Sequence, residues 1–247
     1  MDLPETRDEY TVEIAEHMKK SGANAPFIHD AKATLGRVLF YDTKLSKTEE
    51  VSCGSCHKQS LAFSDDKALS DGINGQKTKR NSLPLASVAN FSSSYDGGGP
   101  SFSGGIGFFW DERANTISEQ SNLTIQDDIE MGMDMNDLAV KLSEVEYYDI
   151  LFHKAYGDKS ITPNRILDAI QEFVNSFVST QSPFDEGLNQ MNNVDVSSDF
   201  TNFSAQENTG KRLFVENCST CHAADMSTAT FVNMANNGLD EVYEDNG

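Results

Sequence analysis

Between Lys32 and Tyr41 the apolar residues Leu35, Val38 and Leu39 recur at helical spacing, which predicts a helix with one inward face. A stronger pattern follows Thr162, where Ile166, Ile170, Phe173 and Phe177 repeat at helical intervals behind an N-cap threonine and Pro163 in the first helical position. Residues 5 to 20 carry Val12, Ile14, Ala15 and Met18 among charges and read as a surface helix ended by Gly22 to Pro26, with His17 and His29 expected in solvent. Ile117 to Leu123 predicts another helix, followed by the carboxylate-rich turn Asp127-Asp128-Ile129-Glu130 and a methionine-rich stretch to Met135. Asp134 or Asn136 then caps a helix carrying Leu138, Val140 and Leu142, and Ser204-Ala205-Gln206-Glu207 is a capping box opening a helix through Leu213 and Phe214.

The intervening stretches lack such periodicity. Lys58 to Asn90 reads as loop, rich in Ser, Asp, Asn and Gly, of the kind that arches over a bound group. Ser92 to Gly107 contains Ser92-Ser93-Ser94 and Gly97-Gly98-Gly99 and is expected to be a flexible insertion. It stops at Phe108-Phe109-Trp110-Asp111-Glu112-Arg113, which holds the chain's one tryptophan. Residues 186 to 203 are polar and read as a connecting loop.

All four cysteines fall in two copies of one pattern, Cys53-Gly54-Ser55-Cys56-His57 and Cys218-Ser219-Thr220-Cys221-His222. In C-x-x-C-H the two thiols bond covalently to the vinyl groups of a haem and the histidine ligates its iron. Two copies imply two covalently bound haem c groups, held by Cys53, Cys56 and His57 and by Cys218, Cys221 and His222. Four-thiolate zinc is the competing reading, but zinc has no need of a histidine directly after both pairs. Each motif is fed by a helix ending in Leu-Phe, Leu39-Phe40 and Leu213-Phe214, so the expected fold is mainly α: two cytochrome c-like helical lobes with long loops and little strand. The boundary is placed near Gly157 to Ser160, giving an N-terminal haem domain at 1–157 and a C-terminal haem domain at 158–247.

Composition narrows the partners. With 247 residues, 38% hydrophobic, there is room for one large or two modest cores. A balance of 19 basic against 39 acidic residues gives a net charge of −20, which repels nucleic acid and anionic membranes. That acidity suits either a redox partner with a basic patch or plain solubility. No apolar run reaches the ~20 residues of a membrane span, and Met1-Asp2-Leu3-Pro4-Glu5 is not a signal peptide. Because haem is attached to this motif outside the bacterial cytoplasm, the expected location is periplasmic, with an export signal already removed.

From Leu35 to Asp240 the chain resembles the bacterial dihaem cytochrome c peroxidases and their relatives of the MauG type. The likeness rests on Leu35-Gly36-Arg37-Val38-Leu39-Phe40-Tyr41-Asp42, both haem motifs, Arg80-Asn81, Phe109-Trp110-Asp111, Glu119-Gln120, Glu130-Met131 and Ser182-Pro183-Phe184-Asp185, with Trp110, Gln120 and Glu130 ten residues apart. The resemblance implies a peroxidatic haem on His57 and an electron-storing haem on His222. It implies Trp110 as the bridge between them, Gln120 and Glu130 in the peroxide pocket, and Asn81 in a calcium site. It further implies hydrogen peroxide as substrate, a small electron-donor protein (a cytochrome c or cupredoxin) and a homodimer. The chemistry needs a carboxylate that moves peroxide's inner proton to the outer oxygen, and Glu130 is the residue expected to do so. Charge pattern alone would make Glu130 a member of a solvated acidic turn, and Trp110 alone would read as core filling.

Three departures stand out. Eight residues before Asn81, where many relatives carry a histidine that blocks the peroxidatic iron, this chain has Ile73. The first haem is therefore expected to be high-spin and active without reductive priming. Only residues 223–247 follow His222, so the C-terminal lobe is expected to be incomplete, with Met234 the candidate far ligand of the second haem. Glu112 stands where glycine is usual. The competing functions are a MauG-like oxidase acting on a protein substrate and a non-catalytic dihaem electron carrier, the latter requiring both irons capped.

Overall fold

The computed structural model describes residues 9–20, 25, 27–86, 107–191, 196–219 and 222. Among them it is mainly helical, the only strand-like pairing being isolated bridges such as Lys58 with Ser64 and Asp71 with Lys77. The helices are α1 (Glu16–Lys20), α2 (Asp30–Tyr41), α3 (Cys53–Cys56), α4 (Ile117–Gln126), α5 (Met135–Ser143), α6 (Glu146–Tyr156), α7 (Pro163–Asn175), α8 (Pro183–Asn189) and α9 (Ala205–Asn217).

The principal core forms where α2 crosses α7, with α4, α5 and α6 packed around the pair. Leu35 and Leu39 of α2 and Ile166, Ile170 and Phe173 of α7 are buried as their spacing predicts, each worth about 1.5–3 kcal/mol when fully removed from water; Val38 is half-buried and Phe40 is buried in its stead. The helices meet at Gly36, where a Cβ would stand 1.8 Å from the carbonyl oxygen of Ala169. Thr162 caps α7 through its side chain and Asp134, rather than Asn136, caps α5. The sequence reading placed α7 at the opening of the second lobe, but its side chains enter the same core as α2, so described residues on both sides of 157–160 share one core.

Three expectations change. Of the expected helix over residues 5 to 20, the described part, 9–20, is helical only in α1; residues 9–15 form an irregular strap in which Ile14 and Ala15 are buried. His17 is not in solvent: it is 1% exposed, its Nε2 lies 2.9 Å from Asp185 Oδ1, and its backbone N–H donates to Asn189. These His17 contacts tie α1 to α8 across the sequence. The span 186–203 is not all loop, because Ser182 and Asp185 form a capping box that opens α8, and Leu188 and Phe200 are buried behind it. Gly187 leaves space for the Phe200 ring, which packs on Phe184 and Phe203. The insertion at 92–107, apart from Gly107, and Met234 lie outside the described residues.

Candidate active site

The first cysteine motif begins with a local closure. Ser52 and Ser55 form a reciprocal capping box, which lets the single turn of α3 stand without a longer helix. Cys53 and Cys56 thus share one face of a turn, as free and half-buried thiols. Burial pushes the Cys53 thiol up to about 12 and raises that of Cys56. Between them Gly54 lets the Tyr41 ring lie against the turn, since a Cβ there would be 2.6 Å from that ring.

His57 follows as the C-cap, its backbone N–H donating to Cys53 at 2.9 Å. Its Nδ1 lies 2.9 Å from the carbonyl oxygen of Phe63. The ring is also steered by the backbone of Leu83, and because a carbonyl only accepts, Nδ1 carries the proton it shares with Phe63. That carbonyl is presented by a tight return of the chain in which Ala62 and Phe63 both take left-handed backbone (φ 55° and 59°), a strain of about 1–2 kcal/mol per residue. Burial lowers the imidazole's pKa and keeps it in the neutral, metal-binding form. The Phe63 ring stacks on Phe177 with centroids 3.9 Å apart, and Phe40 meets both edge-on.

Two thiols on one turn, an imidazole fixed by backbone hydrogen bonds and an aromatic wall fit a haem that would be held by thioethers from Cys53 and Cys56 with His57 on its iron.

A second wall comes from two loops locked together. Ile73 is buried, and its N–H lies 3.0 Å from the carbonyl of Ile129 and 3.3 Å from that of Glu130. Gly72 permits this approach, because a Cβ there would meet the Ile129 oxygen at 1.9 Å, and Gly132 makes room for the tip of Ile73. Asp127 shapes the turn by accepting from the N–H groups of Ile129 and Glu130. Glu130 is thereby half-buried; burial, reinforced by the Asp127 charge, raises its carboxyl above the usual carboxylate range. Its charge adds to the upward push on both the Cys53 and the Cys56 thiols.

Gln120 joins this group through a residue that the sequence reading missed. The Gln120 side-chain N–H donates to Thr124 Oγ1 at 2.9 Å, and the Thr124 hydroxyl bonds the Glu130 carboxylate. The signal lay in the four-residue spacing of Gln120 and Thr124 on one helix.

Trp110 and Asn81 meet each other: the indole N–H donates to the Asn81 carbonyl at 3.0 Å, and the Asn81 amide donates to the Lys67 carbonyl. The indole is 48% exposed, so it is not core filling. Glu112 has φ 57°, a left-handed conformation, which accounts physically for glycine being usual there. Of the second motif Cys218, Ser219 and His222 are described. Cys218 is exposed at the end of α9, the His222 backbone N–H donates to Cys218 at 2.9 Å, and its ring lies 6.0 Å from Phe214. Cys221 lies outside the described residues.

A family model described as di-haem cytochrome c peroxidase matches residues 30–193. The chain is 30% identical over 197 residues to the methylamine utilization protein MauG of Methylophilus methylotrophus, covering 78% of this chain and 52% of that protein. It is 28% identical over 198 residues to the cytochrome c551 peroxidase of Pseudomonas aeruginosa, covering 79% and 51%. Among solved structures, a MauG-like protein associated with microbial copper homeostasis matches with a TM-score of 0.65 at 26% identity, over 94% of this chain and 60% of that one. The chain spans about half the length of the curated relatives it matches.

Proposed function

Because the chain belongs to the di-haem cytochrome c peroxidase family, we propose that its first motif carries a peroxide-reactive haem and that the protein reduces hydrogen peroxide to water with electrons from a small periplasmic redox protein. The observation that carries this reading is the placement of Glu130: a carboxyl of raised pKa whose charge reaches Cys53 and Cys56, linked through Thr124 to Gln120. The bound haem supplies the site for peroxide and a route for electrons. Glu130 takes a proton from peroxide and returns it to the departing oxygen, and its raised pKa makes it a stronger base than an ordinary carboxylate. Thr124 and Gln120 hold the carboxyl in place. His57, with Nδ1 committed to Phe63, is the ligand this reading assigns to the iron.

Ile73 supports a further element of this reading. An aliphatic side chain cannot ligate iron, and its loop is pinned to the Glu130 turn by backbone bonds. The first haem is then high-spin as isolated and reacts without reductive priming. A low-spin bis-histidine spectrum from that haem would end the idea.

A second reading is favoured by similarity to the MauG proteins and the MauG-like structure: an oxidase that stores two oxidising equivalents and withdraws electrons from a protein substrate. Stopped-flow mixing with peroxide, with and without a reduced cytochrome c, separates the two. Donor consumed at two per peroxide supports the peroxidase, whereas a long-lived oxidised species without donor turnover supports the MauG-like enzyme. No reaction supports an electron carrier. Trp110 is assigned to electron transfer between the haems, so Trp110→Phe slows that step while leaving the fold intact; unchanged inter-haem kinetics would refute it. A calcium ion at Asn81 and a homodimer are carried by family likeness alone, and calcium titration of the chelated protein followed by its sedimentation tests both.

A further inference from the structure

Helix α6 contains three tyrosines, and each holds its phenolic hydroxyl within hydrogen-bond distance of a carboxylate. Tyr147 and Tyr148 share one acceptor, Asp42 Oδ2, at 2.7 and 2.8 Å, with ring centroids 4.6 Å apart. The Tyr156 hydroxyl lies 2.8 Å from both Asp168 Oδ2 and the carbonyl oxygen of Arg165, which share its one proton. The rings continue one another: Tyr148 to Phe152 at 6.3 Å and Phe152 to Tyr156 at 6.0 Å. Tyr148 and Phe152 are fully buried, and Tyr147 and Tyr156 are half-buried. At the other end Asp42 directly follows Tyr41, whose ring rests on Gly54 in the haem-attachment turn. A continuous path of contacts and hydrogen bonds thus leads from the first motif through Tyr41 and Asp42 to the tyrosine pair and on to Tyr156.

A backbone carbonyl or a water would satisfy a phenol for structural purposes. A carboxylate does more, because it is a base already in place to accept the proton when the ring loses an electron. We propose that Tyr147 and Tyr148 form a redox-active pair that holds one oxidising equivalent drawn from the first haem site, with Tyr156 as its outlet. This rests on the peroxide-reactive reading of that site. The oxidant is the haem after it has been oxidised by hydrogen peroxide. One electron leaves a tyrosine ring for that haem; the phenolic O–H bond breaks and the proton crosses to Asp42, where a new O–H bond forms. Since both phenols use the same oxygen, the pair stores one equivalent and not two. Transfer onward takes an electron from Tyr156, whose proton passes to Asp168, and Asp42 returns its proton to the pair. A one-electron reductant such as ascorbate then restores Tyr156.

The test uses the full chain with both haems attached, mixed with peroxide in the absence of donor, frozen rapidly and examined by electron paramagnetic resonance. The haem's optical change in the same sample reports whether the oxidant formed. A radical signal that narrows when the protein contains ring-deuterated tyrosine, and that is lost in the double variant Tyr147→Phe and Tyr148→Phe, establishes the pair. Haem oxidation with no tyrosyl signal, or a signal that survives in the double variant, overturns the pair and leaves the haem reading standing. Absence of any optical change overturns both. Should the double variant fail to fold, peptide mass spectrometry of the unaltered protein after prolonged peroxide decides: oxygen added at Tyr147 or Tyr148 supports the proposal, and oxygen added only elsewhere refutes it.

Discussion

The two C-x-x-C-H segments share one backbone hydrogen bond and differ, among the described residues, in what leads up to and surrounds it. In each, the histidine backbone N–H donates 2.9 Å to the carbonyl of the first cysteine. At the first motif the thiols are half-buried, the imidazole is anchored on Phe63, and the charge of Glu130 acts on both thiols. At the second, Cys218 is exposed, and the helix leading to it leaves Leu213 54% exposed. The helix leading to the first motif buries Leu35, Leu39 and Phe40. The five-residue pattern therefore specifies a turn and a pair of thiols; what the haem there can do is set by elements distant in sequence.

The sharpest way to break this contrast is at Glu130. If only the first motif has a proton-handling carboxyl, Glu130→Gln should slow the reaction of its haem with peroxide by about 10²–10⁴-fold and leave the spectrum of the second haem unchanged. The pH dependence has a definite sign. Burial raises the Glu130 pKa, so the ionised base is lost as pH falls through a value above the ordinary carboxylate range. The peroxide rate should rise with pH across that range, and Glu130→Gln should flatten this limb in stopped-flow traces. Next in size is a difference between thiols in the chain before haem attachment. With Cys53 near 12 against an ordinary 9.0, its thiolate is about 10³-fold scarcer than that of an unperturbed thiol. Alkylation timed by mass spectrometry should find buried Cys53 slower than exposed Cys218.

Packing offers the third test. Gly36 lies where α2 crosses α7, with the Ala169 carbonyl only 1.8 Å from where a Cβ would sit. Backbone cannot give way as a flexible side chain can, so Gly36→Ala should force the helices apart and destabilise the chain by about 1–3 kcal/mol, read as a lower denaturation midpoint.

What the sequence revealed follows the same division between local and distant. The spans of α2, α7 and α9, the caps at Thr162 and Ser204, and the Asp127 to Glu130 turn were legible because each is encoded within a few residues. The buried pairing of His17 with Asp185 was not, since the partners lie 168 residues apart and each looks like an ordinary surface residue. The role of Phe63 was equally hidden: what holds His57 is a backbone carbonyl, which any residue would supply, aimed by two left-handed residues that no propensity favours. Helix α8 was missed although Ser182-Pro183-Phe184-Asp185 is a capping box, because the segment behind it has too few apolar residues to show a period. Thr124 escaped because the connection between Gln120 and Glu130 passes through a hydroxyl that has no motif of its own.

The smallest effect distinguishes the two feeding helices most directly. Gly210 occupies the interior of α9, and a Cβ there would meet nothing within 4 Å. Glycine in a helix costs about 0.8–1.0 kcal/mol relative to alanine, through the backbone freedom that it loses on folding. Gly210→Ala should therefore stabilise α9 by roughly that amount, the opposite sign to Gly36→Ala, and slow amide exchange along 205–217. The same exchange of hydrogen for methyl then has opposite consequences because one helix is clasped by a partner and the other presents open space at the corresponding point. Loss of stability at Gly210 would mean that α9 packs as closely as α2, and the contrast between the two haem segments would fail at the level of their helices.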